Sequence, residues 1–233
     1  MKNKDIKILV EGWRKFLNES LNISKQIDRA KALIDEISIQ EPSKNKFKLH
    51  IEINKTDAYE YELISAVMKN DLTYNKVANI YFSKDINKKV IDNNGVERSC
   101  FSIDYTKSVR YNLGPLMYDI IIEFASKNNS MLVADRYVIS DEAQSLWQNY
   151  FLERPDVLKA QLDIENDHLD PQKYPNLTPQ FEDDFRQDMA IKHKKEDWHQ
   201  SAFSKGYYKL NTPVIDTLTS KSESDFFVYK ENV

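Results

Sequence analysis

The stretch "RYNLGPLMYDIIIEFA" (110–125) decides the fold, because the hydrophobic period changes inside it. Before it, "KKVIDNNGVERSCFSIDYT" (88–106) alternates apolar and polar residues as a strand does. From Leu113 onward the apolar residues recur at helical spacing, and Gly114 and Pro115 stand at the change. Proline is tolerated there because the first turn of a helix has no use for its missing N–H. Glycine lets another group approach the backbone closely. The stretch therefore predicts a strand ending near Arg110, a tight turn, and a helix whose first amides face that turn. Such amides, with the helix dipole behind them, suit a phosphate group. A Gly-Pro opening also starts many helices that bind nothing.

Outward toward the N-terminus, "FKLHIEIN" (47–54), "YEYELISAVMK" (59–69) and "KVANIYFSK" (76–84) read as strands. Asn94-Gly95 lies between two extended runs and predicts a hairpin. The sum is an antiparallel meander of about four strands. Ahead of it, "ISKQIDRAKALIDEIS" (23–38) sets Ile23, Ile27, Ala30, Leu33, Ile34 and Ile37 on one helical face, with Asn22 as N-cap. "QEPSKNK" (40–46) is a linker broken by Pro42. "DIKILVEGWRKFLNES" (5–20) predicts one more amphipathic helix, interrupted by Asn18, Glu19 and Ser20.

Outward toward the C-terminus, "SMLVAD" (130–135) reads as a short buried strand. "SDEAQSLWQNYFLE" (140–153) reads as a helix capped by Ser140. After Arg154 the signal weakens into polar, Pro-punctuated chain with a short helix near 181–193. "AFSKGYYKLNTPVIDTLTSK" (202–221) reads as a strand or loop and then a short helix, and the last ten residues as loose chain. The expected fold class is α+β, with N-terminal helices, a β-meander, helix–strand–helix and an irregular C-terminal extension.

Composition bounds the function classes. The chain has 233 residues, 41% of them hydrophobic and 30% charged, enough for a sizeable core and unlike a disordered tail. A formal net charge of −4 lacks the basic field that general nucleic-acid binding needs. The single cysteine, Cys100, excludes a disulfide framework within the chain and suits a reducing compartment. No apolar run approaches the roughly 20 residues that span a bilayer. No secretory h-region is seen near the start, so the expectation is a cytosolic protein without a membrane partner.

The succession of meander, Gly-Pro turn, helix, short strand and "SDEAQSLW" resembles the GNAT acyl-CoA N-acyltransferases, and more closely a divergent GNAT-like group of tailed phages. The residues carrying the likeness are Leu113-Gly114-Pro115-Leu116-Met117-Tyr118-Asp119, Asp135-Arg136, and Ser140, Ala143 and Trp147. "LTPQFEDDF" (177–185) and "SAFSKGYYK" (201–209) also look like that group's tail, so the likeness covers roughly 47–219. It implies acetyl-CoA as acyl donor, an unidentified amine as acceptor, and a pyrophosphate turn formed by Arg110, Tyr111, Asn112, Leu113, Gly114, Leu116 and Met117. The family's loop resembles Gln/Arg-x-x-Gly-x-Gly/Ala. With Gly114 on its first glycine, Tyr111 takes the basic or amide position and Leu116 the second glycine. Trp147 falls where catalytic members often carry an acidic tyrosine. Indole N–H is a poor acid, and Tyr150, one turn on, is the substitute. Asp104 and Asp135, near strand ends, are the candidate bases, although acids at strand ends are commonly plain surface residues. The same likeness also fits a GNAT-shaped binding or virion-internal protein that transfers nothing.

The opening "LVEGWRKFLNES" (9–20) resembles leaders of large contractile-tailed phages, in which a short helix targets proteins to the prohead and a protease cuts after Leu/Ile-x-Glu. Leu17-Asn18-Glu19 precedes Ser20 where the helical pattern breaks. This implies a prohead scaffold and protease as partners, and location in the virion head before the host cytoplasm. Leu9-Val10-Glu11, Ile34-Asp35-Glu36, Ile39-Gln40-Glu41 and Ile121-Ile122-Glu123 match the same triplet, so position carries the reading. The alternative is an ordinary amphipathic helix with Trp13 and Phe16 in the core.

The resulting division is a leader at 1–19, a helix and linker at 20–45, a GNAT-like core at 46–160 and an extension packed on it at 161–233. No metal site is expected. His193 and His199 beside Glu196 and Asp197 lack zinc-motif spacing, and Glu182 to Asp184 read as an acidic helix start. Cys100 reads as buried rather than nucleophilic, and Tyr207, Tyr208, Phe226, Phe227 and Tyr229 as packing. If the leader reading holds, mass spectrometry of purified particles will find a form beginning at Ser20. An intact Met1 in packaged protein, or no protein in particles, removes it.

Overall fold

The computed structural model describes residues 23–40, 47–56, 61–69, 72–107, 113–134, 146–162, 202–221 and 227–233. Its elements are α1 (Ile23–Gln40), β1 (Phe47–Lys55), β2 (Tyr61–Lys69), β3 (Leu72–Ile91), β4 (Glu97–Lys107) and α2 (Gly114–Lys127). Then come β5 (Ser130–Val133), a π-helical turn (Trp147–Phe151), β6 (Leu158–Gln161), a 3-10 turn (Ala202–Ser204), β7 (Lys205–Tyr208), α3 (Pro213–Lys221) and β8 (Phe227–Asn232). The fold is mixed α+β, as expected, in two compact units between which β3, β4 and α2 are divided. Among the described residues no helix is long and apolar enough to cross a membrane.

The first unit holds β3 up to Phe82 and has the strand order β8-β1-β2-β3. Strict alternation in β1 puts Leu49, Ile51 and Ile53 on one face, all but solvent-free. The antiparallel register sets Ile53 opposite Leu63, and Leu63 opposite Ile80. Tyr61 stacks on its cross-strand partner Phe82 at 5.4 Å. Helix α1 packs on β1 through Ile27, Ala30 and Ile34, the stripe its periodicity predicts. Gln26 on that helix donates to the buried Asp119 of α2 at 3.3 Å. The last ten residues, expected to be loose, contain β8, which pairs parallel with β1 from Leu49↔Phe227 to Asn54↔Asn232. The reason is that "FVYKEN" alternates with period two and lays Tyr229 beside Ile51, while α3 packs on β8. Within the extension expected to be irregular, the strand or loop and short helix read over 202–221 are β7 and α3, and β8 is the added element among the described residues.

The second unit begins in β3 at Ser83 and has the order β3-β4-β5-β7-β6. Strand β5 runs parallel to β4, pairing Ser99–Ser102 with Ser130–Val133. Parallel neighbours need a crossover connection, and α2 supplies it. The helix ends at Asn128 and Asn129, the latter left-handed at φ 51°, a conformation asparagine tolerates. Phe101 and Leu132 face one side of the sheet, where Phe101 meets Phe124 of α2 at 5.8 Å. Cys100, one residue earlier, faces the other side. There it is buried as a free thiol with Val90, Met131, Val133, Ala160, Leu162 and Tyr208, in agreement with the sequence.

The expected hairpin joins β3 to β4, but Asp92 organises it rather than a two-residue Asn-Gly turn. Gly95 N donates to Asp92 O at 2.9 Å and Asp92 N to Val96 O at 2.9 Å. Gly95 is left-handed at φ 78°, giving a three-residue loop with a glycine bulge. The Asp92 carboxylate accepts from Asn94 N at 2.8 Å, Val96 N at 2.9 Å and Arg98 Nε at 2.8 Å. Burial pushes its pKa up, but Arg98 and the two amides outweigh burial and hold it below the usual carboxylate value. A depressed folded-state pKa stabilises the fold above the unfolded pKa of about 4, and that contribution disappears as pH falls through the folded value. Urea unfolding against pH is expected to show this loss for the wild type and a flatter acid limb for Asp92→Asn.

Candidate functional site

Helix α2 opens where the sequence places its turn. Met117 N donates to Leu113 O at 3.0 Å, the first helical bond, so Gly114 and Leu116 carry amides with no intrahelical acceptor. Gly114 is half-buried and reaches the surface. Leu113, Leu116 and Met117 are at most 1% exposed, so their side chains belong to the core. Next in the helix, Tyr118 lies buried 3.4 Å from the Thr106 hydroxyl, and burial raises its phenol pKa. Arg110, Tyr111 and Asn112 lie outside the described residues, as do Asp135, Arg136, Ser140 and Ala143, the processing residues Leu17, Glu19 and Ser20, and His193 and His199.

Asp104 is exposed on β4. Its Oδ1 accepts from Ser83 Oγ at 3.0 Å and Ser102 Oγ at 3.3 Å, so its hydroxyl partners come from β3 and its own strand. Tyr150 lies in the π turn, which Leu152 N closes onto Trp147 O at 3.1 Å. Such turns are rare and often mark functional sites. The segment expected as an α-helix through Trp147 is thus π-helical where it is described, from Trp147 to Phe151. Trp147 itself is a core residue. Its ring lies 4.7 Å from Phe151 and 5.4 Å from Tyr207, and Phe151 lies 5.3 Å from Tyr207.

No family model, no curated protein and no solved structure matches the chain.

Periodicity and motif did not single out the charged groups buried in the second unit. Glu123 of α2 is solvent-free, and Lys209 Nζ donates to its Oε1 at 2.9 Å. Lys209 also lies 3.4 Å from Asp156 Oδ2, and Asp156 pairs with the buried Arg154. Lys209 N donates to Ser126 Oγ at 2.8 Å, one turn beyond Glu123. Lys159 Nζ donates to the carbonyls of Arg154 and Val157 at 2.9 and 3.1 Å, and burial lowers its pKa. Burial raises the pKa of Asp156, but Arg154 and then Lys209 outweigh that and leave it lowered. One signal was present in the sequence: Glu123 is an acid inside the apolar run "IIIEFA" (120–125), where an ionised group needs a partner. Its partner is 86 residues away, beyond any local rule.

This network ties α2 to the segment that follows the π turn and to the end of β7. Removing one member of a buried pair strands the other charge, at a cost of about 3–5 kcal/mol. Lys209→Met is expected to lower unfolding stability by about that much. Glu123→Leu combined with Lys209→Met is expected to recover most of the loss, and urea titrations of the three proteins measure both.

Proposed function

We propose that the chain is a GNAT-like protein of tailed phages that takes acetyl-CoA and transfers its acetyl group to an amine. The observation that supports this best is the order and pairing of β1 to β5. An antiparallel meander is followed by a helix opening at Gly114-Pro115, and then by a strand parallel to the meander's last member. That is the succession the family resemblance implies. Gly114 fits the group to be held: it is the described residue of the helix opening that reaches the surface, and it has no Cβ to bar a phosphate.

Acetyl-CoA supplies an activated acyl thioester. The Gly114 amide at the positive end of α2 would hold its pyrophosphate, and the resemblance adds Arg110, Tyr111 and Asn112 to the residues that would bind it. A carboxylate, Asp104 or Asp135, takes the proton that the amine must lose to become a nucleophile. Backbone N–H groups polarise the thioester carbonyl. Tyr150 gives a proton to the departing sulfur. A thiol pKa near 8.5 makes that help useful rather than indispensable. The N-terminal leader, in this reading, carries the protein into the virion head and so to the host cytoplasm with the DNA.

The second reading is a GNAT-shaped binding or virion-internal protein. It is favoured by Trp147, whose ring is committed to the core at the position where catalytic relatives often carry an acid. Calorimetry with acetyl-CoA separates the readings when combined with thiol release over a panel of polyamines, aminoglycosides and host proteins. The enzyme reading expects binding, loss of binding in a folded Gly114→Val, and turnover lowered about 10- to 100-fold in Tyr150→Phe with affinity unchanged. Binding without thiol release favours the noncatalytic reading. Wild-type affinity in Gly114→Val removes the pocket from this turn.

A further inference from the structure

Asn94 stands at the tip of the β3–β4 hairpin, exposed and followed by Gly95. Among the described residues its side chain has no hydrogen-bond partner. An Asn-Gly pair is open to a reaction that needs only water. The glycine nitrogen, having lost its proton, attacks the asparagine side-chain carbonyl carbon and forms a C–N bond. The side-chain nitrogen leaves as ammonia, and a five-membered imide remains. Water then opens the imide at either carbonyl, giving aspartate or isoaspartate. Glycine permits the reaction because no Cβ obstructs ring closure.

The turn opposes formation of the imide. The Gly95 N–H that must be lost donates to Asp92 O at 2.9 Å. The amides on either side of Gly95 are both bound to Asp92 Oδ1, Asn94 N at 2.8 Å and Val96 N at 2.9 Å. Asp92 is itself fixed by Arg98 Nε at 2.8 Å, and Asn93 Nδ2 ties the loop to Lys159 O at 3.0 Å. Closing the imide requires the Asn94–Gly95 peptide to rotate out of these bonds. We propose that Asn94 is a latent modification site, kept as the amide by the Asp92-centred turn and converted by water when the hairpin opens. Conversion has a structural cost. A new carboxylate appears beside the buried Asp92, and isoaspartate adds a carbon to the backbone of a loop that sets strand register.

The test is incubation of the full chain at mildly alkaline pH, in native buffer and in urea, followed by peptide mapping that separates asparagine, aspartate and isoaspartate at position 94. Native buffer is expected to slow conversion at least about tenfold relative to urea, the factor that an opening cost of about 1.4 kcal/mol imposes. Asp92→Ala, shown by circular dichroism to be folded, is expected to convert in native buffer at a rate approaching that in urea. If that variant does not fold, Arg98→Ala, which frees the carboxylate, takes its place with the same expected acceleration. Equal rates in buffer and urea overturn the gating, as does a folded variant no faster than the wild type. Absence of conversion in urea overturns the modification site itself.

Discussion

The parallel pairing of β4 with β5 is the constraint on which the rest of the structure depends. Two neighbouring strands that run the same way cannot be joined by a hairpin, so the chain has to leave the sheet and return. Helix α2 makes that return, and its cost in ordered backbone is offset by burial. Leu116, Met117, Ile120, Ile121, Ile122, Phe124 and Ala125 are all solvent-free or nearly so. At roughly 1.5–3 kcal/mol for each large side chain, such a helix is held by packing far more than by its own propensity. The same burial explains the polar groups along it. A helix covered on nearly all sides has no solvated face for acids, so Asp119 takes Gln26 and Glu123 takes Lys209 as partners.

The parts of this fold that local chemistry specifies were legible in the sequence. The change of period at Leu113, the Gly-Pro helix opening, the alternation in β1 and β2, and the run "SMLV" each express a short-range rule, and each element lies where that rule puts it. The hairpin was legible as a hairpin and Gly95 as its left-handed residue, but the full turn was not, because the Asp92 side chain adds bonds to Asn94 N, Val96 N and Arg98 that no short-range rule names. Strand β3 was read in pieces because "SKDINKK" (83–89) interrupts the alternation, yet the strand runs unbroken from Leu72 to Ile91. The strand or loop and the short helix read over 202–221 are β7 and α3, whereas the last ten residues were read as loose because β8 has only six residues, too few for periodicity to stand out, and gains its stability from a strand far away in sequence.

The site divides in the same way. The place of Gly114 at the helix start was legible because glycine there has a backbone meaning. Leu113, Leu116 and Met117 were named with it through the family resemblance; which face of the helix each side chain occupies is a matter of packing, and all three are buried. Trp147 was placed by motif alignment. Its packing against Tyr207 depends on a pairing between residues 60 positions apart that no motif encodes. The buried charges around Lys209 were illegible for the same reason.

The pairing of β8 with β1 has a consequence for how the chain is made. Asn232 donates to Asn54 at 2.7 Å across 178 residues of sequence. On the ribosome, β1 and β2 emerge long before the strand that covers the open edge of β1. An uncovered edge offers its backbone groups to any other extended chain, and contacts this distant in sequence form slowly. The first unit therefore passes through a stage in translation when its sheet is unfinished and open to pairing with a neighbouring nascent copy.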